Sequence, residues 1–303
     1  MTTSAKTTAR ALAAGLAGLA LWAAGAAAGG AADSTLQFTP LTPPSPPASQ
    51  ATAQPTTQSI AQSTTRAAPT DARRSGLHDM SPALQALQRD DAQNPALLWA
   101  ADGAALWRDR ANPASRSCAD CHGGDAQHIA GAAARHPAWD ATAGQAVNLA
   151  GRINACRQRH QQAPPLAVES TDGLALALWL GLQSRGQAVA PPDDPRLAPL
   201  RAQGAALWQQ RLGQLNLACS QCHDQRAGLR LGGALIPQGH ATGYPIYRLE
   251  WQALGSLQRR LRGCVTGVRA EPWPAGAPEW LALEAYLAVR AAGMPVETPA
   301  VRP

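Results

Sequence analysis

Two short motifs in this chain combine a pair of cysteines with a histidine at a fixed spacing. CADCH covers residues 118–122 and CSQCH covers residues 219–223, so both have the pattern C-x-x-C-H. In this pattern two thiols can add to the vinyl groups of a haem, and the adjacent histidine can bind the iron. The predicted attachment residues are Cys118, Cys121, Cys219 and Cys222. The predicted iron ligands are His122 and His223, so the motifs predict two covalently bound c-type haems.

Two other kinds of site also use C-x-x-C pairs. A zinc ribbon could use both pairs, but the pairs lie about 100 residues apart and such a site needs neither histidine. A thioredoxin-like redox motif would lie in a βαβ unit, and strand signals are scarce in this sequence. The haem interpretation is favoured because both motifs follow the same helical segment at the same distance.

Each motif is followed by one further cysteine that the attachment pattern does not use. Cys156 ends the segment NLAGRINAC, and Cys264 ends the segment SLQRRLRGC. In both segments an arginine, Arg152 or Arg260, lies four residues before the cysteine. A thiolate is a strong anionic donor, so both cysteines are candidates for the second axial position of a haem iron.

Other ligands and a disulfide are the alternatives. Methionine is a common second ligand in cytochromes c, but Met80 precedes both motifs and Met294 lies beyond the last predicted helix. The histidines outside the motifs do not occupy equivalent places in the two segments; they include His128, His136, His160 and His240. A disulfide between Cys156 and Cys264 is plausible in an oxidising compartment.

A tandem duplication would position these residues. GAALW occurs at residues 103–107 and again at residues 204–208, and a cysteine follows each glycine by fifteen residues. In both copies, an apolar segment follows the spare cysteine, at residues 174–180 in the first copy and 281–287 in the second. Apolar residues at helical spacing predict that each copy opens and closes with a helix. The prolines of Ala190–Pro199 break helices and mark the predicted boundary.

The fold class predicted from these features is all-α, with two tandem cytochrome c-like domains related by internal duplication. Domain 1 is predicted to cover residues 75–190. Domain 2 is predicted to cover residues 191–303 and to hold the active haem. Between its opening and closing helices, each domain is predicted to have a haem-binding loop and an irregular middle.

The N-terminal region has the features of an export signal. Within residues 1–32, Lys6 and Arg10 precede an alanine-rich apolar run that ends in small residues. A retained membrane anchor is the alternative, since the run is nearly long enough to span a bilayer. Residues 33–74 are rich in Pro, Thr, Ser and Gln and predict a disordered leader. We therefore expect a periplasmic protein without stable membrane insertion after processing.

The charge pattern is modestly basic. The formal net charge is +6, and Lys6 is the only lysine, so nearly all basic residues are arginines. No dense basic run with interleaved aromatic residues is present, which argues against binding of nucleic acid. Arginine can pair with two oxygens of an oxyanion at once, so the composition is compatible with an anionic substrate.

Several segments resemble the SoxA family, the dihaem subunits of SoxAX cytochromes in periplasmic thiosulfate oxidation. The resemblance covers the chain from roughly Ser75 to its last residue and includes both haem motifs. It rests on MSPALQALQRDDAQNPALLW, on RINACR and above all on YPIYRLEWQALGSLQRRLRGC. It implies histidine/cysteine ligation of both haems, by Cys156 at the first and Cys264 at the second. It also implies that Cys264 is the catalytic cysteine, found as a persulfide, with Arg260 beside it.

The resemblance also implies a reaction and partners. Thiosulfate would be joined oxidatively to a cysteine of a SoxYZ-like carrier protein, the activity of an L-cysteine S-thiosulfotransferase. Two electrons would leave through a SoxX-like monohaem cytochrome, the partner in a heterodimer. Arg260 is the first candidate for binding thiosulfate; its neighbours Arg248, Arg259 and Arg262 are further candidates. Pairing with haem propionates, or a solvated helix face, is the alternative role for these arginines. The first haem is expected to lie off the main electron route.

Three other functions are compatible with a dihaem chain. A thiosulfate dehydrogenase would couple two thiosulfates to tetrathionate, but it usually needs a methionine or lysine ligand at one haem. A non-catalytic electron-transfer cytochrome would show no sulfur chemistry at Cys264. A dihaem peroxidase would need an open or histidine-ligated iron, which the paired cysteines argue against.

Overall fold

The computed structural model describes residues 72–303. The predicted signal peptide (residues 1–32) and all but the last residues of the predicted leader (residues 33–74) therefore lie outside the described residues. No helix within the described range is long and apolar enough to cross a lipid bilayer.

Helices make up most of the regular structure. The α-helices of the described range are α1 Pro82–Arg89, α2 Ala100–Arg108, α3 Ala119–His122, α4 Leu149–Cys156, α5 Thr171–Leu182, α6 Ala198–Gln209, α7 Cys219–His223, α8 Leu257–Gly267 and α9 Pro278–Arg290. Short 3₁₀ segments occur at Gly76–Asp79, Pro95–Trp99, Gln127–Ile129, Ala133–Arg135 and Pro195–Leu197. A π-helical turn, Arg157–Gln161, continues directly from α4.

The described chain also contains short strands, each of two or three residues. They are β1 Ala138–Asp140, β2 Gln145–Val147, β3 Arg230–Leu231, β4 Ala234–Leu235, β5 Ile246–Arg248, β6 Ala253–Gly255 and β7 Ala300–Arg302. β1 and β2 form an antiparallel hairpin, as do β3 and β4. β5 lies between antiparallel β6 and parallel β7. The all-α expectation is thus confirmed only in part, because such short strands show too little alternation to be recognised from sequence.

A hairpin followed by a capped helix occurs in both copies of the duplication. β1 and β2 lead into α4, where the Asn148 side chain accepts a hydrogen bond from the backbone N–H of Gly151 at 2.8 Å. β5 and β6 lead into α8, where the Ser256 hydroxyl accepts from the backbone N–H of Arg259 at 3.1 Å. These caps satisfy N–H groups of the first turn and fix where each helix begins. The spare cysteines consequently lie at the same distance along their helices.

The glycine of each GAALW segment allows two helices to cross closely. A Cβ atom at Gly103 of α2 would collide with the carbonyl oxygen of Ala175 on α5. A Cβ atom at Gly204 of α6 would collide with the carbonyl oxygen of Ala282 on α9. Only glycine leaves room for the backbone at such a contact. The repeated glycine therefore reflects the same helix crossing in both copies.

Helix α5 is buried from Leu174 to Gly181 and contributes to two hydrophobic clusters. One face packs with Trp107 and Ile153 of the first copy. Through Leu178, the helix also joins a cluster with Tyr247 and Val301, which belong to the second copy. The two copies therefore share part of one core, and all described residues belong to one compact unit. The boundary between domains at residue 190 stays a prediction.

Candidate haem sites

Each C-x-x-C-H motif is held by the tryptophan of the preceding GAALW segment. Trp107 Nε1 donates a hydrogen bond of 2.8 Å to the carbonyl oxygen of the residue after His122, and the two rings lie 5.7 Å apart. Trp208 Nε1 donates at 2.8 Å to the carboxylate of Asp224, and its ring lies 5.6 Å from that of His223. The constant distance between GAALW and the motif in the sequence is explained by these contacts.

At the second motif, the histidine and the spare cysteine lie close together. His223 Nδ1 donates a hydrogen bond of 2.7 Å to the carbonyl oxygen of Pro237, which leaves Nε2 as the nitrogen available to a metal. Cys264 lies on α8 within hydrogen-bonding reach of His223. Burial raises the pKa of the Cys264 thiol, but the His223 hydrogen bond and the charges of Arg260 and Arg248 outweigh burial and lower it. The surroundings of Cys264 therefore stabilise its thiolate form relative to that of an ordinary cysteine.

The attachment cysteines of the second motif lie beside the same pair. Burial, together with the smaller effects of the nearby Cys264 and Cys222, raises the pKa of Cys219 to about 11. No disulfide joins any two of the six cysteines, all of which lie within residues 72–303. The structure thus places Cys264 with its own motif and does not contain the alternative disulfide to Cys156.

The first motif has a similar set of groups. Cys156, the last residue of α4, lies close enough to Cys118 to raise the pKa of that thiol, after burial as the main cause. Gln161 Nε2 donates to the Cys118 sulfur at 3.6 Å. Burial lowers the pKa of His122, and the neighbouring charges of two other histidines, His160 and His128, lower it further.

The arginines four residues before the spare cysteines have different surroundings. Arg152 Nη1 donates to the Asp140 carboxylate at 2.9 Å, and Arg159 donates to the same carboxylate at 2.8 Å. These guanidinium groups hold the pKa of Asp140 at about 2. The side chain of Arg260 makes no hydrogen bond or ion pair within residues 72–303. The side chain of Arg262 likewise has no such contact within that range, but it is exposed to solvent.

The other two arginines near Cys264 are engaged. Arg248 donates to the Glu250 carboxylate and to the Pro303 carbonyl oxygen, each at 2.7 Å. Its guanidinium also lies 5.0 Å from the centre of the Trp251 ring. Arg259 stacks on the same ring at 4.1 Å. Of the four arginines singled out in the sequence, Arg260 is the half-buried one whose donors remain available.

His128 and His160 lie near the first motif, whereas His136, His240 and Met294 have other surroundings. His136 Nδ1 donates to the carbonyl oxygen of Ala132 at 2.7 Å. Burial lowers the pKa of His240 to about 4, with Arg290 as the next cause. Met294 is buried in a separate apolar cluster.

Asp140 and Glu284 lie near the sites but belong to no recognised motif, so the sequence analysis did not predict a role for them. An alignment of the two copies could have indicated Asp140, because it is equivalent to Arg248 of the second copy. Glu284 on α9 accepts hydrogen bonds from Asn148 and Gln258 and borders a cavity of about 390 Å³ between the copies. Nothing in its local sequence distinguishes it from a surface glutamate.

The residues at both motifs fit a c-type haem. Each offers two attachment thiols, a histidine on a short helix, a third thiol from another helix and an adjacent tryptophan. At the second motif the histidine is also oriented by a carbonyl oxygen, an arrangement that fixes which nitrogen binds a metal. Such a donor set matches histidine/thiolate ligation of haem iron.

Comparisons with known proteins identify the family of the chain. The family described as "SoxA/TsdA, cytochrome c domain" matches residues 102–189 and 203–296, one match for each copy. The L-cysteine S-thiosulfotransferase subunit SoxA of Pseudaminobacter salicylatoxidans is 35% identical over 244 residues, covering 78% of this chain and 85% of the relative. The subunit of the same name from Rhodovulum sulfidophilum is 33% identical over 232 residues, covering 77% of this chain and 81% of the relative.

A solved structure has a similar fold. The crystal structure of SoxXA from P. pantotrophus contains a chain that is 33% identical and superposes with a TM-score of 0.73. The match covers 76% of this chain and 87% of that one. Two cytochrome c domains and these relatives establish a haem c protein, and the chain belongs to the SoxA family.

Proposed function

We propose that this protein is the SoxA subunit of an L-cysteine S-thiosulfotransferase, with its active site at Cys264. The relatives of that name support the activity. The single observation that supports the site is the meeting of Cys264 with His223 beside Arg260, whose donors are unused. Two haems, covalently attached through Cys118, Cys121, Cys219 and Cys222, complete the proposal.

The ligands follow from the same geometry. His122 and Cys156 would hold the iron of the first haem. His223 and Cys264 would hold the iron of the second. When bound, a haem c supplies a site that accepts one electron at a time.

Arg260 would bind and orient thiosulfate beside Cys264. Thiosulfate is a small dianion, and a guanidinium can donate to two of its oxygens at once. Arg260 lies one helical turn before Cys264, so both side chains lie on the same face of α8. The oxyanion would thereby be held close to the Cys264 sulfur.

The overall reaction forms one sulfur–sulfur bond. The outer sulfur of thiosulfate becomes bonded to the carrier cysteine, whose thiol loses its proton to solvent. The two sulfur atoms together lose two electrons, which leave one after the other towards a partner cytochrome. Loss of these two electrons would join the outer sulfur of thiosulfate to the terminal sulfur carried by Cys264. The carrier thiolate would then attack the thiosulfate-derived sulfur, break that sulfur–sulfur bond and release the Cys264 sulfur unchanged, as in thiol–disulfide exchange.

The partners would be a SoxX-like monohaem cytochrome and a SoxYZ-like sulfur carrier. The similar chain from P. pantotrophus was crystallised as part of SoxXA, which supports the first of these partners. We place the reaction in the periplasm, after export by a cleaved N-terminal signal, without stable membrane insertion. Nucleic acid has no part in it.

The two spare cysteines provide a matched experiment. Cys264→Met and Cys156→Met each replace one thiolate by another haem ligand, at equivalent places in the two copies. We expect Cys264→Met to abolish formation of the carrier thiosulfonate, measured by mass spectrometry of the carrier, and Cys156→Met to retain it. Tetrathionate formed without a carrier would instead indicate a thiosulfate dehydrogenase. Unchanged carrier modification by Cys264→Met would contradict the proposed site, and an absence of sulfur chemistry in the native protein would indicate a non-catalytic cytochrome.

A further inference from the structure

The two hairpins that precede the cysteine-bearing helices correspond residue for residue. Each pairs three residues per strand in antiparallel register, and the second hairpin lies 108 residues after the first. Asp140 and Arg248 are therefore equivalent, each being the last residue of the first strand of its hairpin. The same offset relates Arg152 to Arg260 and relates the two spare cysteines. A single position thus carries opposite charges in the two copies.

In the first copy, the carboxylate of Asp140 forms an ion pair with the guanidinium of Arg152. The Asp140 side chain is 1% exposed and receives hydrogen bonds from Arg152 and Arg159 on its Oδ2 atom. Its Oδ1 atom accepts two backbone N–H groups of the following turn, at 3.0 Å each. Arg152 Nη2 also donates a hydrogen bond to the carbonyl oxygen of Trp139. The guanidinium that matches Arg260 therefore already holds an anion of the protein itself.

In the second copy the equivalent position carries a fixed positive charge. The Arg248 side chain is 14% exposed and is held by Glu250, by the Pro303 carbonyl oxygen and by the Trp251 ring. The Glu250 side chain is 62% exposed, so water screens its charge. No acidic side chain within residues 72–303 contacts Arg260.

We propose that this one hairpin position determines which copy accepts a small divalent oxyanion. In the first copy, Asp140 forms an ion pair with Arg152, so this arginine is not available to bind an external anion. In the second copy, Arg248 forms no such pair with Arg260; it leaves the donors of Arg260 available and adds a second positive charge. The inference rests on the proposed function in taking thiosulfate as the natural anion. Asp140 and Arg248 act through the helix arginines and are specificity residues that need not touch the reacting sulfur.

Selenate, an oxyanion with a strong anomalous X-ray signal, can locate anions at both sites of the haem-loaded protein. Asp140→Asn keeps the Oδ1 acceptor of the turn and replaces Oδ2 by an amide NH₂ that repels a guanidinium. In crystals soaked with selenate, we expect selenium beside Arg260 alone in the native protein, and beside both Arg260 and Arg152 in Asp140→Asn. The control is Asp91→Asn, which removes the exposed partner of Arg185 and should leave the first site without selenium.

The outcomes separate this inference from the proposed function. Selenium beside Arg260 but not beside Arg152 in Asp140→Asn would overturn the inference and leave the proposed function intact. Selenium absent from Arg260 in the native protein would contradict the anion-binding role on which both rest.

Kinetics of the complex with its cytochrome and carrier provide a second test. We expect Arg248→Asp to raise the KM for thiosulfate by about tenfold or more with a smaller change in kcat, because it places a negative charge beside Arg260. Arg248→Lys keeps the positive charge and should keep the KM near the native value. If Arg248→Asp does not fold, Arg248→Gln is measured in its place. An unchanged KM in both Arg248→Asp and Arg248→Gln, with KM raised in Arg260→Gln, would overturn the inference.

Discussion

Gln258 Nε2 on α8 donates a hydrogen bond of 2.7 Å to the Glu284 carboxylate on α9. The same carboxylate oxygen accepts from Asn148, the cap of α4, at 3.0 Å. One partly buried side chain thus joins the helices that carry Cys156 and Cys264. Burial raises the pKa of Glu284 to about 7, although both hydrogen bonds lower it. The link between the two copies is therefore sensitive to pH.

Glu284→Gln should flatten the dependence of stability on pH. The folded pKa of about 7 exceeds the ordinary value of 4.5, so between these values the folded protein holds a proton that the unfolded chain has lost. The free energy of unfolding should therefore fall as the pH rises through this range, by up to about 3 kcal/mol in total. Glutamine cannot ionise and should remove this fall, measured as melting temperature against pH.

The control for Glu284→Gln is Glu271→Gln, which changes an exposed glutamate. Its pH profile should follow that of the native protein. A native slope that persists in Glu284→Gln would show that another group causes the pH dependence.

Gly204→Ala should destabilise the protein by about 1–3 kcal/mol, because its methyl group would force α6 away from α9. Gly263→Ala is the control: it lies inside α8 with no heavy atom closer than 3.9 Å to its added Cβ, and should stabilise by about 0.5–1 kcal/mol. Chemical denaturation of the haem-loaded protein measures both. Equal stability of the two variants would contradict the close crossing.

Arg260→Gln should lower activity, whereas Arg152→Gln should lower stability. Loss of a charge-assisted hydrogen bond to substrate should lower kcat/KM of Arg260→Gln by about 10–100-fold, with little change in melting temperature. Arg152→Gln should lower the melting temperature, because Asp140 loses one of its two cationic partners, and should leave kcat/KM near the native value. Steady-state kinetics and thermal melts of both variants would test this; a similar loss of activity in both would assign these arginines a shared structural role.

The first haem should be dispensable for turnover. Cys118→Ala combined with Cys121→Ala removes its attachment, and we expect carrier modification to continue at the second site. Circular dichroism would establish that the fold is intact. Loss of turnover in a folded variant would place the first haem on the electron route.

The duplication could be predicted from sequence because its signals are chemical or short-range. Both C-x-x-C-H motifs, the spare cysteines and the GAALW segments recur at nearly constant spacing. The roles of Gly103 and Gly204 required the structure, because each close helix crossing depends on a residue more than 70 positions away. The pairing of Asp140 with Arg152 depends on a hairpin too short to be recognised, and the burial of Glu284 depends on two helices from different copies.

The central claim is that the Cys264 sulfur takes part in the chemistry, and intact mass tests it most directly. The protein should be purified from the periplasm and measured before and after cyanide, which removes sulfane sulfur. We predict the processed chain plus two haems plus one sulfur, with that sulfur lost to cyanide and mapped to Cys264. A chain with two haems whose mass is two hydrogens lighter, with Cys156 crosslinked to Cys264, would contradict the account.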